Sequence, residues 1–490
     1  MSTTTFEFER KMNKKFLILI PLILSGFIHL LNPAGFPDIF FDEGIYMRRA
    51  MNLIETGNPQ ESYLYDHPYF GQVILAGVLQ ISNYPPKEIS SDPSFLQSLY
   101  VVPRIFMGLL TVLDTFLIYQ ITKEKFEINT ALLASTLFAV MPFTWIFNRI
   151  LLDSLLLPFL LSSILLAIYF SKSKGRFWLA PLSGIFLGLA IFTKIPSFVF
   201  IPLIIWIIFQ KRRNLKDVMF WIIPVLLIPL LWPAHSLSLD QFDLWIKDLM
   251  WQAQRSNSVV DLIKHFILID PVLFVIGILG IIYSGISRNK FVLLWFIPFM
   301  IFLSVIGFKQ YFHWIPLIPI FCIASSIWLL DFPKRFKIFQ SQKIHSSIIL
   351  LILVFGFSST LLLISHDLSH NQFLALSYVI DNYDYKSTLL ASPVYSWILS
   401  DIFHIQNVPS DYSQILFEPP STNQITLIAD PHFMLDLKRG IELQNAYNYT
   451  KSVRFFQGTM NEFDTRIYPF SNMMMTLEEG PIDIREGEWK

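Results

Sequence analysis

Residues Phe16–Leu31 read FLILIPLILSGFIHLL, an apolar run with no charged side chain, and the reading of the whole chain starts from it. Val218–Leu231, Phe266–Tyr283, Phe291–Gly307 and Ile348–Ile364 are runs of the same kind. A helix needs roughly 17–25 apolar residues to cross a bilayer, and most of these runs approach that length. The run from Val218 is the shortest and needs its flanks to span. Composition agrees. Of 490 residues, 53% are hydrophobic, 47 are Phe and only 15% are charged, against about 25% in a soluble protein. Mean hydropathy is +0.50. Lipid is therefore the expected solvent. The first run is too long, and too poor in small residues at its end, for a cleaved signal peptide, so it reads as a retained anchor. Net charge is zero, which implies no bulk attraction to nucleic acid. The one cysteine, Cys322, lies inside an apolar run. That excludes disulfides and multi-cysteine metal sites within the chain. No internal repeat or low-complexity segment is visible.

Lys and Arg collect in short cytoplasmic loops of membrane proteins. Basic clusters occur at Arg10/Lys11/Lys14/Lys15, Lys123/Lys125, Lys172/Lys174/Arg176, Lys211/Arg212/Arg213/Lys216, Arg288/Lys290 and Lys334/Arg335/Lys337/Lys343. Placing all six inside fits eleven spans, near 16–33, 100–121, 130–148, 155–171, 178–193, 197–210, 218–233, 266–284, 291–307, 312–330 and 346–365. Residues 70–82 (FGQVILAGVLQIS) are apolar but short, and suit an interfacial or re-entrant segment. Crossing there would turn five basic loops outward. The expected architecture is an all-α polytopic membrane domain over residues 1–365, with an outer loop at 34–99 carrying juxtamembrane helices. A small α/β or α+β domain over 366–490 follows, built from strand-like Ser387–Leu390 and Gln424–Ile428 and helix-like Pro431–Leu443. The protein is expected in the cell membrane, with its amino terminus cytoplasmic and its C-terminal domain extracytoplasmic. Asn448-Tyr449-Thr450 fits an N-glycosylation triplet there, a weak signal.

The unusual charges gather on that outer face. Asp42-Glu43 follows the first span. Asp42 could cap a helix beginning at Glu43, or take a proton from an attacking hydroxyl as a general base. Tyr65-Asp66-His67-Pro68 reads as a turn, or as a place where His67 touches a phosphate or substrate hydroxyl. Arg149 could snorkel from a tight outer turn. Asp153 has apolar residues on both sides, and carboxylates at membrane depth usually face a cavity or a partner. Lys194, Arg255 and Lys309, with Tyr311 beside the last, stand out in outer turns otherwise poor in basic residues. Each could snorkel, or together they could bind a lipid phosphate. Asp114, inside the second span, is expected to hydrogen-bond a neighbouring helix. These residues alone name no sugar.

The order of motifs resembles the C-type membrane glycosyltransferases, especially the protein O-mannosyltransferases and the related bacterial lipid A aminoarabinose transferases. The family's Asp-Glu pair after the first span matches Asp42-Glu43. Its His-Pro-Pro-Leu-Gly-Lys segment is similar to His67-Pro68-Tyr69-Phe70-Gly71-Gln72, with Tyr69 and Gln72 as departures. Its Arg-Phe-Ile-Leu-Leu-Asp-Ser segment is similar to Arg149-Ile150-Leu151-Leu152-Asp153-Ser154, one residue shorter. Arg104 resembles the Arg that opens the second span, and Gly184, Gly188 and Lys194 resemble the Gly-rich helix that ends in Lys. The resemblance runs over about 16–330, without the lumenal β-trefoil of the eukaryotic enzymes, and the tail matches none of it.

The resemblance implies a polyprenyl or dolichyl phosphate sugar as donor and a hydroxyl acceptor on a protein Ser/Thr, a glycan or a lipid. Asp42 would be the base. Asp153 and Glu43 would orient the acceptor or hold Asp42 and the basic groups. Lys309, Arg255 and Lys194 would stabilise the leaving phosphate, with Arg149, Tyr311 and His67 as further contacts. No cofactor is firmly implied, and a divalent metal is compatible with the carboxylates and His67 but not required. The rival readings are a lipid-linked sugar flippase or transporter without covalent chemistry, and a non-catalytic assembly protein or receptor. Transporters often carry inverted repeats and broken helices at the midplane, whereas the charges here lie at the outer surface.

Overall fold

The computed structural model describes residues 16–59, 65–173, 175–212, 214–254, 258–336, 342–384, 386–437, 439–458 and 479–490. Arg255, the first basic cluster at 10–15, and Lys174, Arg213 and Lys337 of the later clusters lie outside the described residues.

The chain begins with α1 (Leu19–Leu30), α2 (Phe41–Thr56), α3 (Phe70–Ile81), α4 (Pro93–Lys125), α5 (Ile128–Val140), α6 (Leu152–Lys172) and α7 (Leu179–Thr193). Among the described residues five helices are long and apolar enough to cross a membrane: Pro93–Lys125, Leu152–Lys172, Leu215–Ser238, Tyr311–Pro333 and Lys343–Ile364. Counting each bent pair as one span brings the number to seven; these are Ile128–Val140 with Pro142–Asn148 (66°) and Val259–Ile269 with Pro271–Ile286 (117°). Shorter apolar helices at Leu19–Leu30, Leu179–Thr193, Ile195–Gln210 and Lys290–Val305 coincide with the other four expected runs. The segment at 70–82 forms α3, a helix of 12 residues.

The bend after Ile269 has a local cause. Asp270 Oδ1 accepts the Leu273 amide at 2.8 Å and so caps the new helix, while Oδ2 accepts the Phe143 amide at 3.2 Å. A side-chain cap lets the chain change direction without leaving buried N–H groups unpaired.

Membrane helices approach closely where small residues allow it. A Cβ on Gly184 would meet the Trp221 carbonyl oxygen at 2.2 Å, so α7 lies nearly backbone to backbone against the Leu215–Leu227 helix. Across α6 and α7, Ser163 and Ser183 face each other at 3.2 Å, and each hydroxyl also donates to the other's carbonyl. Asp114 departs from expectation. It is wholly buried in α4, and neither carboxyl oxygen has a hydrogen-bond partner among the described residues. The surrounding helices use their backbone groups internally, so they offer it no donor.

After the last apolar helix comes a four-stranded sheet in the order β1-β2-β4-β3: β1 (Thr388–Leu390), β2 (Gln424–Ala429), β3 (Thr450–Phe456) and β4 (Ile482–Glu488). β1 and β2 run parallel, and the other pairs are antiparallel. The helix-like stretch from Pro431 is two helices, Pro431–Asp436 and Ile441–Asn448. Leu427, Phe433, Leu443 and Ala446 form the core of this layer with Tyr412. Phe41, from the far end of the sequence, packs against that same core. The first turn of α2 is therefore wedged between the membrane helices and the sheet.

Candidate active site

Asp42 and Glu43 occupy the first turn of α2, whose first residue is Phe41. Asp42 does not cap the helix as the capping reading expected. The cap comes from Glu43, whose Oε2 accepts the Phe40 amide at 2.8 Å. Reaching back from the third helical position to the residue before the helix is a common way to satisfy a free N-terminal N–H.

Glu43 is wholly buried. Arg104 of α4 donates to both of its oxygens, from Nε at 2.9 Å and Nη2 at 2.6 Å. Arg149 approaches Oε2 at 3.4 Å, and the Ile150 amide donates to Oε1 at 2.8 Å. Burial pushes the Glu43 carboxyl up, but the arginines and the hydrogen bonds outweigh it and hold the group below its usual range. Every lone pair of Glu43 has a donor, so it acts as a structural anchor.

Arg149 is fully buried rather than snorkelling. Besides Glu43 it donates to Asp38 Oδ1 at 3.0 Å and to the Asp38 carbonyl at 2.8 Å. Its guanidinium also lies over the rings of Phe40 and Trp145, at 5.0 and 5.4 Å. Burial raises the Asp38 carboxyl despite the opposing pull of Arg149. Arg104 adds donations to the carbonyls of Pro33, Pro37 and Asp38. The two arginines thus fasten the whole approach to α2.

Asp42 is half-buried. Tyr46, one helical turn later, is buried and stands in the electrostatic field of Asp42, Asp66 and Asp153, with Arg49 opposing them. Burial and these carboxylates push its phenol well above the usual range. Asp66 pairs with Arg49 at 2.7 Å, and His67 stands beside it. Asp42 also lies within electrostatic reach of Tyr311, whose ring meets Phe40 edge-on at 6.0 Å. Lys194 forms a buried ion pair with Asp153 and sits 4.7 Å from the centre of the Phe312 ring. Lys309 is buried on the segment leading to Tyr311, and its ammonium donates to the Gly307 carbonyl at 3.2 Å.

The fold therefore brings Asp42, Glu43, Asp153, Arg149, Lys194 and Tyr311 into one neighbourhood, with His67 and Lys309 on adjoining segments. Sequence reasoning passed over Tyr46, Asp38, Arg49 and His432, whose Nε2 accepts the Phe41 amide at 3.2 Å. Tyr46 carried a signal, since it stands four residues after Asp42 on the same helix face. The others became visible only through tertiary contacts. Among the described residues no group of three or more His, Cys, Asp or Glu is arranged to hold a metal ion.

The fold is similar to that of solved membrane transferases. Residues 97–236 match the family model of dolichyl-phosphate-mannose-protein mannosyltransferases. The structure is similar to ArnT from Cupriavidus metallidurans in the apo state, with a TM-score of 0.55 and 12% identity over 96% of this chain and 97% of that one. The undecaprenyl-phosphate-bound form of the same protein gives a TM-score of 0.54 at 11% identity, with the same coverage. The oligosaccharyltransferase AglB from Archaeoglobus fulgidus, solved with an inhibitory peptide and a dolichol-phosphate, gives 0.54 at 12% identity over 91% of this chain and 73% of that one. No curated protein matches the chain in sequence.

Proposed function

We propose that the chain is an inverting glycosyltransferase that moves a sugar from a polyprenyl or dolichyl phosphate to a hydroxyl acceptor at the extracytoplasmic face of the membrane. The observation that carries this reading is the contrast within the acidic pair. Glu43 is saturated by two arginines, while Asp42 beside it is half-buried and shares its surroundings with Tyr46, Tyr311 and Asp153.

In this scheme the acceptor hydroxyl gives its proton to Asp42 as its oxygen attacks the anomeric carbon. The new C–O bond forms opposite the old one. The bond to the lipid phosphate breaks, and the electron pair leaves with the phosphate. Lys194 and Lys309 stabilise that charge, with His67 as a further contact. Lys194 is paired with Asp153, so donor binding has Lys194 shared between the phosphate and Asp153. The first isoprene unit of the lipid tail would enter an apolar cavity of about 140 Å³ between α3, α4, α6 and α7, lined by Ile74, Phe106, Leu155, Phe159 and Phe186. This cavity starts two residues beyond Asp153. The family model over 97–236 makes mannose the first sugar to test, and the likeness to ArnT makes undecaprenyl phosphate the first alternative carrier.

The test uses purified protein with radiolabelled dolichyl- and undecaprenyl-phosphate mannose, and envelope membranes as the acceptor source. Release of free lipid phosphate together with label on a non-lipid acceptor supports the reading. Movement of the intact lipid between leaflets without release overturns it in favour of a flippase. Asp42→Asn should abolish transfer while leaving donor binding and thermal stability close to wild type. A variant that keeps most of its turnover would remove Asp42 as the base.

A further inference from the structure

The first turn of a helix presents backbone N–H groups that the helix itself cannot satisfy. In α2 one of them, the Phe41 amide, donates to Nε2 of His432 at 3.2 Å. His432 belongs to the C-terminal layer, in the short helix that follows β2. To accept there, Nε2 must carry no proton, so the ring proton sits on Nδ1. Nδ1 faces Asp430 Oδ2 at 3.4 Å. Asp430 is wholly buried and itself fixed, its Oδ1 accepting the Phe433 amide at 3.0 Å and its Oδ2 the Ser392 hydroxyl at 3.2 Å. The imidazole is buried and packs against the rings of Phe40 and Phe41, with centroids 5.8 and 6.1 Å away.

A second contact holds the same turn. A Cβ on Gly44 would fall 2.2 Å from the Pro393 carbonyl carbon, so the C-terminal layer also meets α2 at backbone distance one turn further along.

We propose that His432 is a positioning residue for Asp42: the C-terminal domain, through a neutral imidazole on the Phe41 amide, fixes the first turn of α2 and with it the direction of the Asp42 carboxylate. Asp42 is the next residue along, so rotating that turn swings its side chain. The proposal rests on the reading of Asp42 as the base. A carboxylate can serve as base only within hydrogen-bond reach of the proton it takes, so a free turn lowers turnover without weakening donor binding.

The experiment compares full-length wild type with His432→Leu, which keeps apolar bulk and removes the acceptor, and His432→Gln, whose amide oxygen reaches a similar place. In the dolichyl-phosphate mannose assay, His432→Leu should lower kcat about ten- to hundredfold, the scale of a misplaced catalytic group, with KM for the donor unchanged. His432→Gln should recover most of that loss. Amide exchange over residues 40–46 should run roughly fivefold faster in His432→Leu, as for loss of one N-terminal cap, and near the wild-type rate in His432→Gln. Wild-type kcat and exchange in His432→Leu overturn the proposal, as does a His432→Gln variant impaired to the same degree as His432→Leu. Should His432→Leu fail to fold, Asp430→Asn replaces it, since that change releases Nδ1 and keeps the amide cap of Phe433. Unchanged kcat and exchange there overturn the proposal equally. If wild type transfers no sugar, the proposed function falls, and the exchange rates alone then decide whether His432 holds the turn.

Discussion

At Glu43 two guanidiniums share one carboxylate, and all three side chains are removed from solvent. Breaking a buried pair by removing one partner is far more damaging than the net worth of the pair, because a bare charge is left behind. Glu43→Gln is therefore expected to destabilise the protein by about 3–5 kcal/mol, seen as a large fall in melting temperature in detergent. Lys194 gives the opposite kind of expectation. Its loss leaves Asp153 buried and alone, but Lys194→Met combined with Asp153→Asn removes both charges. That double variant should fold, and it should raise the donor KM roughly ten- to hundredfold, the value of a charge-assisted hydrogen bond to phosphate. Unchanged donor KM would remove Lys194 from the donor site. The difference between Asp42 and Glu43 was not legible in their order along the chain. It depends on Arg104 and Arg149, which stand 61 and 106 residues away from Glu43.

Elements meet at glycines in two different ways, and the difference predicts unequal effects. A Cβ added to Gly44 of α2 would meet backbone atoms of Pro393 and Val394 at 2.2–2.4 Å. A Cβ added to Gly71 of α3 would meet the Cδ2 tip of Leu152 at 2.4 Å, with its other neighbours at 3.4 Å or more. A side-chain tip can turn away, but a backbone must shift as a unit. Gly44→Ala is thus expected to cost at least the ~1–3 kcal/mol typical of overpacking, and Gly71→Ala less, compared by melting temperature in the same detergent. The helices themselves were readable from apolar runs, since each of the eleven runs meets a helix or a broken helix. The breaks were not. The 117° bend at Asp270 comes from a carboxylate that caps one helix and ties down a distant 3-10 turn. Hydropathy averages over such a residue.

On the scale of the whole molecule, the contact between the C-terminal layer and α2 carries its own pH dependence. Asp411 precedes Tyr412 in that layer and lies within electrostatic reach of Arg48 on α2. Burial pushes its carboxyl up to about 6 from 3.8, partly offset by hydrogen bonds from Ser413. The folded state thus holds this proton more tightly than the unfolded chain does. Ionisation penalises the fold by an amount that is absent below about pH 4, grows up to about pH 6, and stays constant above it. Asp411→Asn should therefore raise the melting temperature at pH 8 and leave it unchanged at pH 4. An equal shift at both values would rule out ionisation as the cause. The existence of an α+β layer after the last apolar run was legible from strand-like segments near 388 and 424, but its partner was not, because nothing local marks Phe41 as a core residue of a sheet hundreds of positions away.

Phe41 and His432 are separated by 391 positions, and this has a consequence for synthesis. A ribosome makes α1 and α2 long before it makes His432. Until then the bilayer holds a nascent chain with every apolar helix in place and the turn beneath Asp42 still open at one side. A truncated product ending between the last apolar helix and the sheet would keep every apolar helix and lack that closure.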